Sequence, residues 1–202
     1  MDHLAEMAGM DPVSFRLNLL TKNPRMAAVI QKVVAQSGWT PGIGSTGRGL
    51  GMATVVTLGT FVAQVAKVAV DSATGVITVE RVDCVVDCGL IVNPEGVRHQ
   101  VEGSIVLACS PTLKEAVEFS NGKVTNPTFG QYNPLRLNEA PREIVVDFVE
   151  DKANPMGGIG EPAVAPVPAA IANAIYDAVG IRLYEMPFTP DRVLAAFKAE
   201  GT

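Results

Sequence analysis

The sequence predicts an α+β fold in which mixed sheets pack against helices. Two runs rich in β-branched residues, 61–70 and 76–87, flank a turn sequence at 71–75, which is typical of an antiparallel pair. Acidic or amide residues followed by proline mark several helix starts. The 202 residues are 48% hydrophobic and 18% charged, so the chain has enough apolar side chains for a substantial core.

The first forty residues are predicted to be helical. A short helix covers Asp2–Ala8. Asp11 and Pro12 start a second helix, because aspartate caps the free N–H groups of a first turn and proline fits its first position. A third helix is predicted over Arg25–Ser37, and Gly38 ends it.

A glycine-rich loop over Pro41–Gly51 contains the spacing G-x-G-x-x-G between Gly42 and Gly47. This motif binds dinucleotides where a strand precedes it and a helix follows it. Here a predicted helix precedes the glycines, and the residues after them are rich in Val, Thr and Gly, as in a strand. We therefore do not interpret the loop as a dinucleotide site.

The middle of the chain continues the mixed pattern. Asn93 and Pro94 start a helix that is predicted to run to about Cys109, and Pro111 then interrupts the helix or starts another piece. The pair Asn121-Gly122 predicts a hairpin turn.

The last third of the chain contains one more strand and two more helices. The strand covers Glu143–Val149, with alternate apolar residues on one face. An alanine-rich helix is predicted over Ala169–Val179, and a C-terminal helix capped by Thr189 runs to about Ala199. No repeat or linker divides the chain, which predicts either one body or two lobes, about 1–110 and 111–202.

Composition excludes several classes of function. A net charge of -5 argues against a nucleic-acid surface, which needs a basic face. The longest apolar stretch, Leu50–Ala63, is shorter than the about 18–20 residues that span a bilayer. No secretory signal is visible at the start. We expect a cytoplasmic protein, or a periplasmic one if a partner carries the export signal.

The cysteines are interpreted as buried small hydrophobic residues rather than as metal ligands. They are Cys84, Cys88 and Cys109. Neither His3 nor His99 completes a zinc-site spacing with them, and three cysteines cannot hold a four-cysteine iron–sulfur centre. His99 is expected at the surface or in packing. Asp83 and Asp87 are interpreted as polar residues at a strand exit rather than as an acid pair.

The run 157–162, Gly-Gly-Ile-Gly-Glu-Pro, is the most informative one for function. Glycines let a backbone pass close to a bulky group, and Pro162 fixes the chain just after Glu161. A carboxylate held on such a loop is a candidate general base. A surface turn with an exposed acid is the alternative interpretation.

Several runs along the chain resemble one family when they are taken in order. They are Asp11-Pro12, Phe15-Arg16, Leu19-Leu20, Val86-Asp87-Cys88-Gly89, Val92-Asn93-Pro94, Gln100-Val101-Glu102-Gly103, Asn138-Glu139-Ala140-Pro141, Gly158-Ile159-Gly160-Glu161-Pro162, Ala172-Asn173-Ala174-Ile175 and Pro187-Phe188-Thr189-Pro190. With this set the chain resembles the C-terminal part of the molybdopterin-binding subunit of xanthine oxidase-type molybdenum hydroxylases. The resemblance is to the isoquinoline 1-oxidoreductase and bacterial aldehyde dehydrogenase branch.

The resemblance implies that residues 1–202 form a C-terminal molybdopterin-binding region. The implied cofactor is molybdenum–molybdopterin, as the pterin dinucleotide, and the implied reaction oxidises an aldehyde or an N-heteroaromatic carbon with water-derived oxygen. By position, Glu161 matches the family's glutamate base and Gln100 the glutamine that hydrogen-bonds the pterin. Gly103, Gly158 and Gly160 match cofactor-binding positions. No side chain of this chain is expected to ligate the metal.

The resemblance also implies partners. The family's upstream glycine-rich loops are absent, so the chain is expected to be a truncated piece or one half of a split subunit. It would need the other half and an iron–sulfur subunit, and the isolated chain is expected to be inactive. A homo-oligomer stays open. Ser104 stands at a position where relatives have glycine. The alternative is a truncated, non-catalytic structural domain without cofactor.

Overall fold

A computed structural model describes residues 1–42 and 47–201 of the chain. The strands are β1 (Arg48–Thr57), β2 (Thr60–Val70), β3 (Ile77–Asp87), β4 (Phe119–Ser120), β5 (Lys123–Val124) and β6 (Glu143–Phe148). The helices are α1 (Asp2–Met7), α2 (Pro12–Leu19), α3 (Pro24–Ser37), α4 (Pro94–Leu113), α5 (Phe129–Tyr132), α6 (Val167–Val179) and α7 (Pro190–Glu200), with a 3₁₀ turn at Leu137–Glu139.

The main sheet has the strand order β1-β2-β3-β6. The pairs β1–β2 and β2–β3 are antiparallel, which confirms the predicted pairing of 61–70 with 76–87. The pair β3–β6 is parallel and needs a long connection, part of which is α4. The side chain of Asp71 closes the β2–β3 turn by accepting from the N–H groups of Ala73 and Thr74.

Helices cover both faces of this sheet, because its strands carry buried residues on both sides. Val62 and Val68 of β2 face the core that α4, α6 and α7 share. Ala63 and Val65 face the opposite core, which contains residues of α2 and α3. The central strands are therefore buried on both faces, which explains their nearly continuous apolar sequence.

Helix α6 lies unusually close to strand β1, and two glycines make this approach possible. A Cβ atom on Gly51 would lie 2.1 Å from the backbone nitrogen of Ala174. A Cβ atom on Gly49 would lie 2.3 Å from the Ala174 oxygen. The strand has no side chain at the contact, and the helix presents alanines, so the two backbones touch. This contact accounts for the alanine-rich sequence of α6.

Most of the local signals are confirmed, although Thr189 precedes α7 without a side-chain capping hydrogen bond. Asp11 and Asn93 cap α2 and α4 through their side chains, and Asn121-Gly122 forms a turn with φ angles of 50° and 74°. The predicted break at Pro111 is wrong, because α4 continues to Leu113.

Helix α4 tolerates Pro111 because the proline lies near the end of the helix, where the carbonyl that it leaves unbonded belongs to Leu107. Leu107 is exposed, so water can satisfy this group. Beyond the proline, Thr112 and Leu113 are buried, and the Thr112 hydroxyl donates to the Ala108 oxygen at 2.6 Å. Packing of this last turn stabilises the helix past the proline.

Two further observations concern the sequence predictions. Most of the G-x-G-x-x-G run, 43–46, lies outside the described residues. In the ranges 1–42 and 47–201, no helix is long and apolar enough to cross a membrane.

Candidate functional site

The glycine loop at 157–162 lies against the ends of two strand connections. The Gly157 N–H donates to the Cys88 oxygen, just after β3, at 2.9 Å. The Gly158 N–H donates to the Leu58 oxygen, in the turn between β1 and β2, at 2.8 Å. Two consecutive residues of the loop are therefore hydrogen-bonded to turns at one edge of the main sheet.

Helix α4 holds the next part of the loop. The Gln100 Nε2 atom donates to the Gly160 oxygen at 2.7 Å, and the Ser104 Oγ atom donates to the same oxygen at 3.4 Å. Gln100 and Ser104 share a helix face because they are four residues apart. The structure thus brings together two predicted cofactor-binding residues, Gln100 and Gly160, that lie 60 positions apart in sequence.

Glu161 follows directly and its side chain is exposed. No hydrogen bond or ion pair joins its carboxylate to the described residues. The backbone around it is fixed on both sides: at Gly160 by α4, and at Ala163 by the buried Gln64, whose Nε2 atom donates to the Ala163 oxygen at 2.8 Å. The result is a carboxylate that reaches solvent from an anchored segment.

The glycines at the site leave open space in front of the backbone. A Cβ atom on Gly103 or Gly160 would meet nothing within 4 Å, whereas one on Gly158 would lie 3.2 Å from the Leu58 Cβ. A groove of about 370 Å³ adjoins Gly160 and Gln100. Its walls are mostly apolar: Leu90, Ile91, Val92, Val97, Met156 and Ile159.

Asp87 is the last residue of β3, a polar residue at the strand exit as predicted, and it also supports the site. Its carboxylate is 1% exposed and forms a bidentate pair with the Arg25 guanidinium, with both N–O distances 2.7 Å. It also accepts from the Gly89 N–H at 3.0 Å. Burial by itself would raise the pKa of Asp87, but these hydrogen bonds outweigh burial and hold the pKa below its usual value. The Asp87–Arg25 pair fixes the turn after β3, in which the Cys88 oxygen accepts a hydrogen bond from the Gly157 N–H.

Asp83, by contrast, lies inside β3, buried and paired with Arg81 at 2.7 Å, so its interpretation as an exit residue is wrong. Neither aspartate belongs to an acid pair. Both are parts of ion pairs between elements or within the strand.

The cysteines are buried and free, which confirms their interpretation as small apolar residues. Burial raises the pKa of Cys84 and of Cys109 to about 12. Among the described residues, no three His, Cys, Asp or Glu side chains group as metal ligands would. His99 lies at the surface, as expected.

Sequence reasoning missed three residues that contact the loop, namely Leu58, Thr60 and Gln64 of the first hairpin and β2. The only local signal was Gly59 between two β-branched runs. Leu58 has a φ of 52°, a conformation that leucine rarely adopts, so its sequence does not predict a two-residue turn there.

Comparison with known proteins identifies the family to which the chain belongs. The molybdopterin cofactor-binding domain family matches residues 15–141. A nicotinate dehydrogenase subunit from Pseudomonas putida is 39% identical over 217 residues, covering 100% of this chain and 18% of that protein. The beta subunit of isoquinoline 1-oxidoreductase from Brevundimonas diminuta is 34% identical over 204 residues, covering 100% of this chain and 26% of that protein.

A solved structure shares the fold. Quinoline 2-oxidoreductase from Pseudomonas putida 86 superposes with a TM-score of 0.64 at 28% identity, over 69% of this chain and 19% of that one. The predicted α+β architecture of a molybdenum hydroxylase molybdopterin-binding region is therefore confirmed. The chain belongs to the molybdopterin cofactor-binding domain family. It spans about a fifth to a quarter of the length of these curated relatives.

Proposed function

We propose that this chain is the C-terminal molybdopterin-binding region of a molybdenum hydroxylase, with Glu161 as its proton acceptor. The observation that carries the proposal is the hydrogen bond from Gln100 Nε2 to the Gly160 oxygen, at 2.7 Å. Gln100 is matched to a pterin contact, and Gly160 lies in the loop that bears Glu161, which is matched to the base. The hydrogen bond therefore joins the two matched positions. Two distant sequence runs with related expected roles thus form one site.

The residues at the site fit a flat, hydrogen-bonding cofactor. The Gln100 Nε2 atom donates to the Gly160 oxygen. No donor in the described part of the chain reaches the Gln100 Oε1 atom, so this atom is free to accept a hydrogen bond. Gly103 and Gly160 leave open surface where a backbone can contact a bulky group. Gly158 would contribute by anchoring the loop, since its N–H donates to the Leu58 oxygen. A molybdenum–molybdopterin cofactor, in the dinucleotide form, is the group we propose.

When bound, this cofactor supplies a Lewis-acid metal and a two-electron redox centre. The chain's own residues would hold and orient the cofactor. Gln100 would accept a hydrogen bond from the pterin, and the carboxylate of Glu161 would take and hold the proton that the attacking water-derived oxygen releases. The substrates we propose are aldehydes or N-heteroaromatic compounds, the classes that the names of the relatives suggest.

The proposal includes partners. The matched region makes up only 18% and 26% of the two curated relatives, so we propose that the other part of the molybdopterin subunit completes the cofactor site. Electrons would leave to iron–sulfur clusters on a further subunit. We propose a single C-terminal region over 1–202 in the cytoplasm, or in the periplasm if a partner carries the export signal.

A second candidate is a structural domain without bound cofactor. The exposure of Glu161, whose side chain contacts no hydrogen-bond partner in the described residues, favours it for the chain by itself. Molybdenum content separates the two candidates. Stoichiometric molybdenum in the protein purified with its natural partners supports the hydroxylase, whereas a metal-free protein without partners supports the structural domain.

Glu161→Gln tests the role of the carboxylate. The amide keeps the size of the side chain but cannot take a proton, so turnover should fall about 10²- to 10⁴-fold. Molybdenum content and thermal stability should stay at wild-type values, since the side chain has no partner in the described chain. Near-normal turnover with aldehydes and N-heterocycles would remove Glu161 from the mechanism.

A further inference from the structure

Thr60 lies directly under the glycine loop. It is the first residue of β2, its side chain is fully buried, and its Oγ1 atom donates to the Gly158 oxygen at 2.6 Å. The contact is close on the other side as well, because a Cβ atom on Gly157 would lie 2.4 Å from the same Oγ1 atom. The loop therefore packs on the threonine with no intervening side chain.

The turn that precedes Thr60 completes this contact. Leu58 and Gly59 connect β1 to β2 with φ angles of 52° and 76°. The Leu58 carbonyl oxygen accepts from the Gly158 N–H at 2.8 Å, so both polar backbone groups of Gly158 bond to the hairpin. A left-handed leucine costs conformational energy, and such residues persist where surrounding contacts determine them.

We propose that Thr60 is a positioning residue, which fixes the loop carrying Glu161 from the side of the sheet. Helix α4 binds the loop at Gly160 and Gln64 binds it at Ala163, but only the hairpin contacts bind it at Gly158 among the described residues. Because Thr60 is buried and paired with Thr57 in the sheet, its hydroxyl fixes the position of the loop relative to β2. The expected effect on catalysis rests on the proposed function. The fixed position of the loop rests on the contacts alone.

Thr60→Val tests the inference, because valine has the shape of threonine without the donor. We expect about tenfold faster hydrogen exchange in peptides that contain the Gly157 and Gly158 amides, since an unmade buried hydrogen bond weakens local structure by about this factor. In the assembled enzyme, kcat should fall about 10- to 100-fold with KM within about twofold, because a displaced base weakens only the transition state. Thr60→Ser keeps the hydroxyl and should restore both values.

Thr112→Val is the matched control. Thr112 is also fully buried, and its hydroxyl also donates to a carbonyl oxygen at 2.6 Å, that of Ala108 in α4. Ala108 keeps its helical backbone hydrogen bond, so the loss of the Thr112 hydroxyl should destabilise the protein less, without faster exchange in the glycine loop and without a change in kcat. Loop exchange that is the same in Thr112→Val as in Thr60→Val would overturn the inference.

Exchange and kinetics separate this inference from the proposed function. Wild-type exchange in Thr60→Val, or a Thr60→Ser variant that behaves like the valine variant, overturns the positioning role. A wild-type complex without turnover removes the hydroxylase proposal, while the exchange comparison still supports or overturns the fixed loop. If Thr60→Val does not fold, Gly157→Ala disturbs the loop side of the contact, because the added Cβ atom would lie 2.4 Å from Thr60 Oγ1 and 2.7 Å from the Gly59 carbonyl carbon. Unchanged exchange in that variant overturns the inference.

Discussion

Gly103 lies inside α4, where a glycine lowers helix stability unless something else requires it. A Cβ atom added there would meet nothing within 4 Å in the described structure. Gly103→Ala should therefore raise the free energy of unfolding by about 0.5–1 kcal/mol, the usual gain for alanine in a helix interior. For a chain of this size the melting temperature should rise by about 1–4 °C. Calorimetry of the purified protein measures both quantities.

The same substitution should weaken cofactor loading. If Gly103 is a cofactor contact, the added methyl group occupies the space of the ligand, and molybdenum content at limiting cofactor should drop at least about fivefold. Ser14→Ala is the control, because Ser14 is an exposed residue of α2, on the other face of the sheet. The free energy of unfolding should rise by a few tenths of a kcal/mol, and molybdenum loading should be unchanged. Full molybdenum loading of the Gly103→Ala protein would refute the contact between Gly103 and the cofactor. A lower free energy of unfolding in this variant would refute the open space in front of Gly103.

Two further substitutions test the framework of the site. Gly51→Ala forces a Cβ atom to within 2.1 Å of the Ala174 nitrogen, so α6 must move by about 1 Å and the free energy of unfolding in urea should drop by about 2–4 kcal/mol; wild-type stability would contradict the close packing. Asp87→Asn breaks the pair with Arg25 and should cost about 2 kcal/mol at pH 7. Because the pKa of Asp87 in the folded protein lies below its ordinary value of 3.8, the pair stabilises fully above about pH 4. The difference between wild type and variant should therefore shrink as pH falls further, and a difference that grows would contradict the assignment.

Local sequence signals determined much of the secondary structure. Asp11 and Asn93 predict helix starts because a capping side chain bonds to N–H groups two or three residues away. The turn at Asn121-Gly122 follows from the left-handed conformations that these two residues adopt readily. Such signals depend on near neighbours in the chain and are therefore readable from it. Pro111 shows their limit, since buried contacts of the following turn outweighed the local preference.

The sequence by itself also determined the family and the candidate residues of the site. Gln100 and the run 158–162 carry chemistry that matches known positions, although they lie far apart in the chain. Only the tertiary structure decided that Gln100 reaches Gly160 and that Thr60 lies under the glycine loop. Likewise, the sequence around Asp87 does not indicate that this residue pairs with Arg25. These contacts join residues tens of positions apart, and they exist because burial of the sheet's two faces fixes where each strand end and helix face meet.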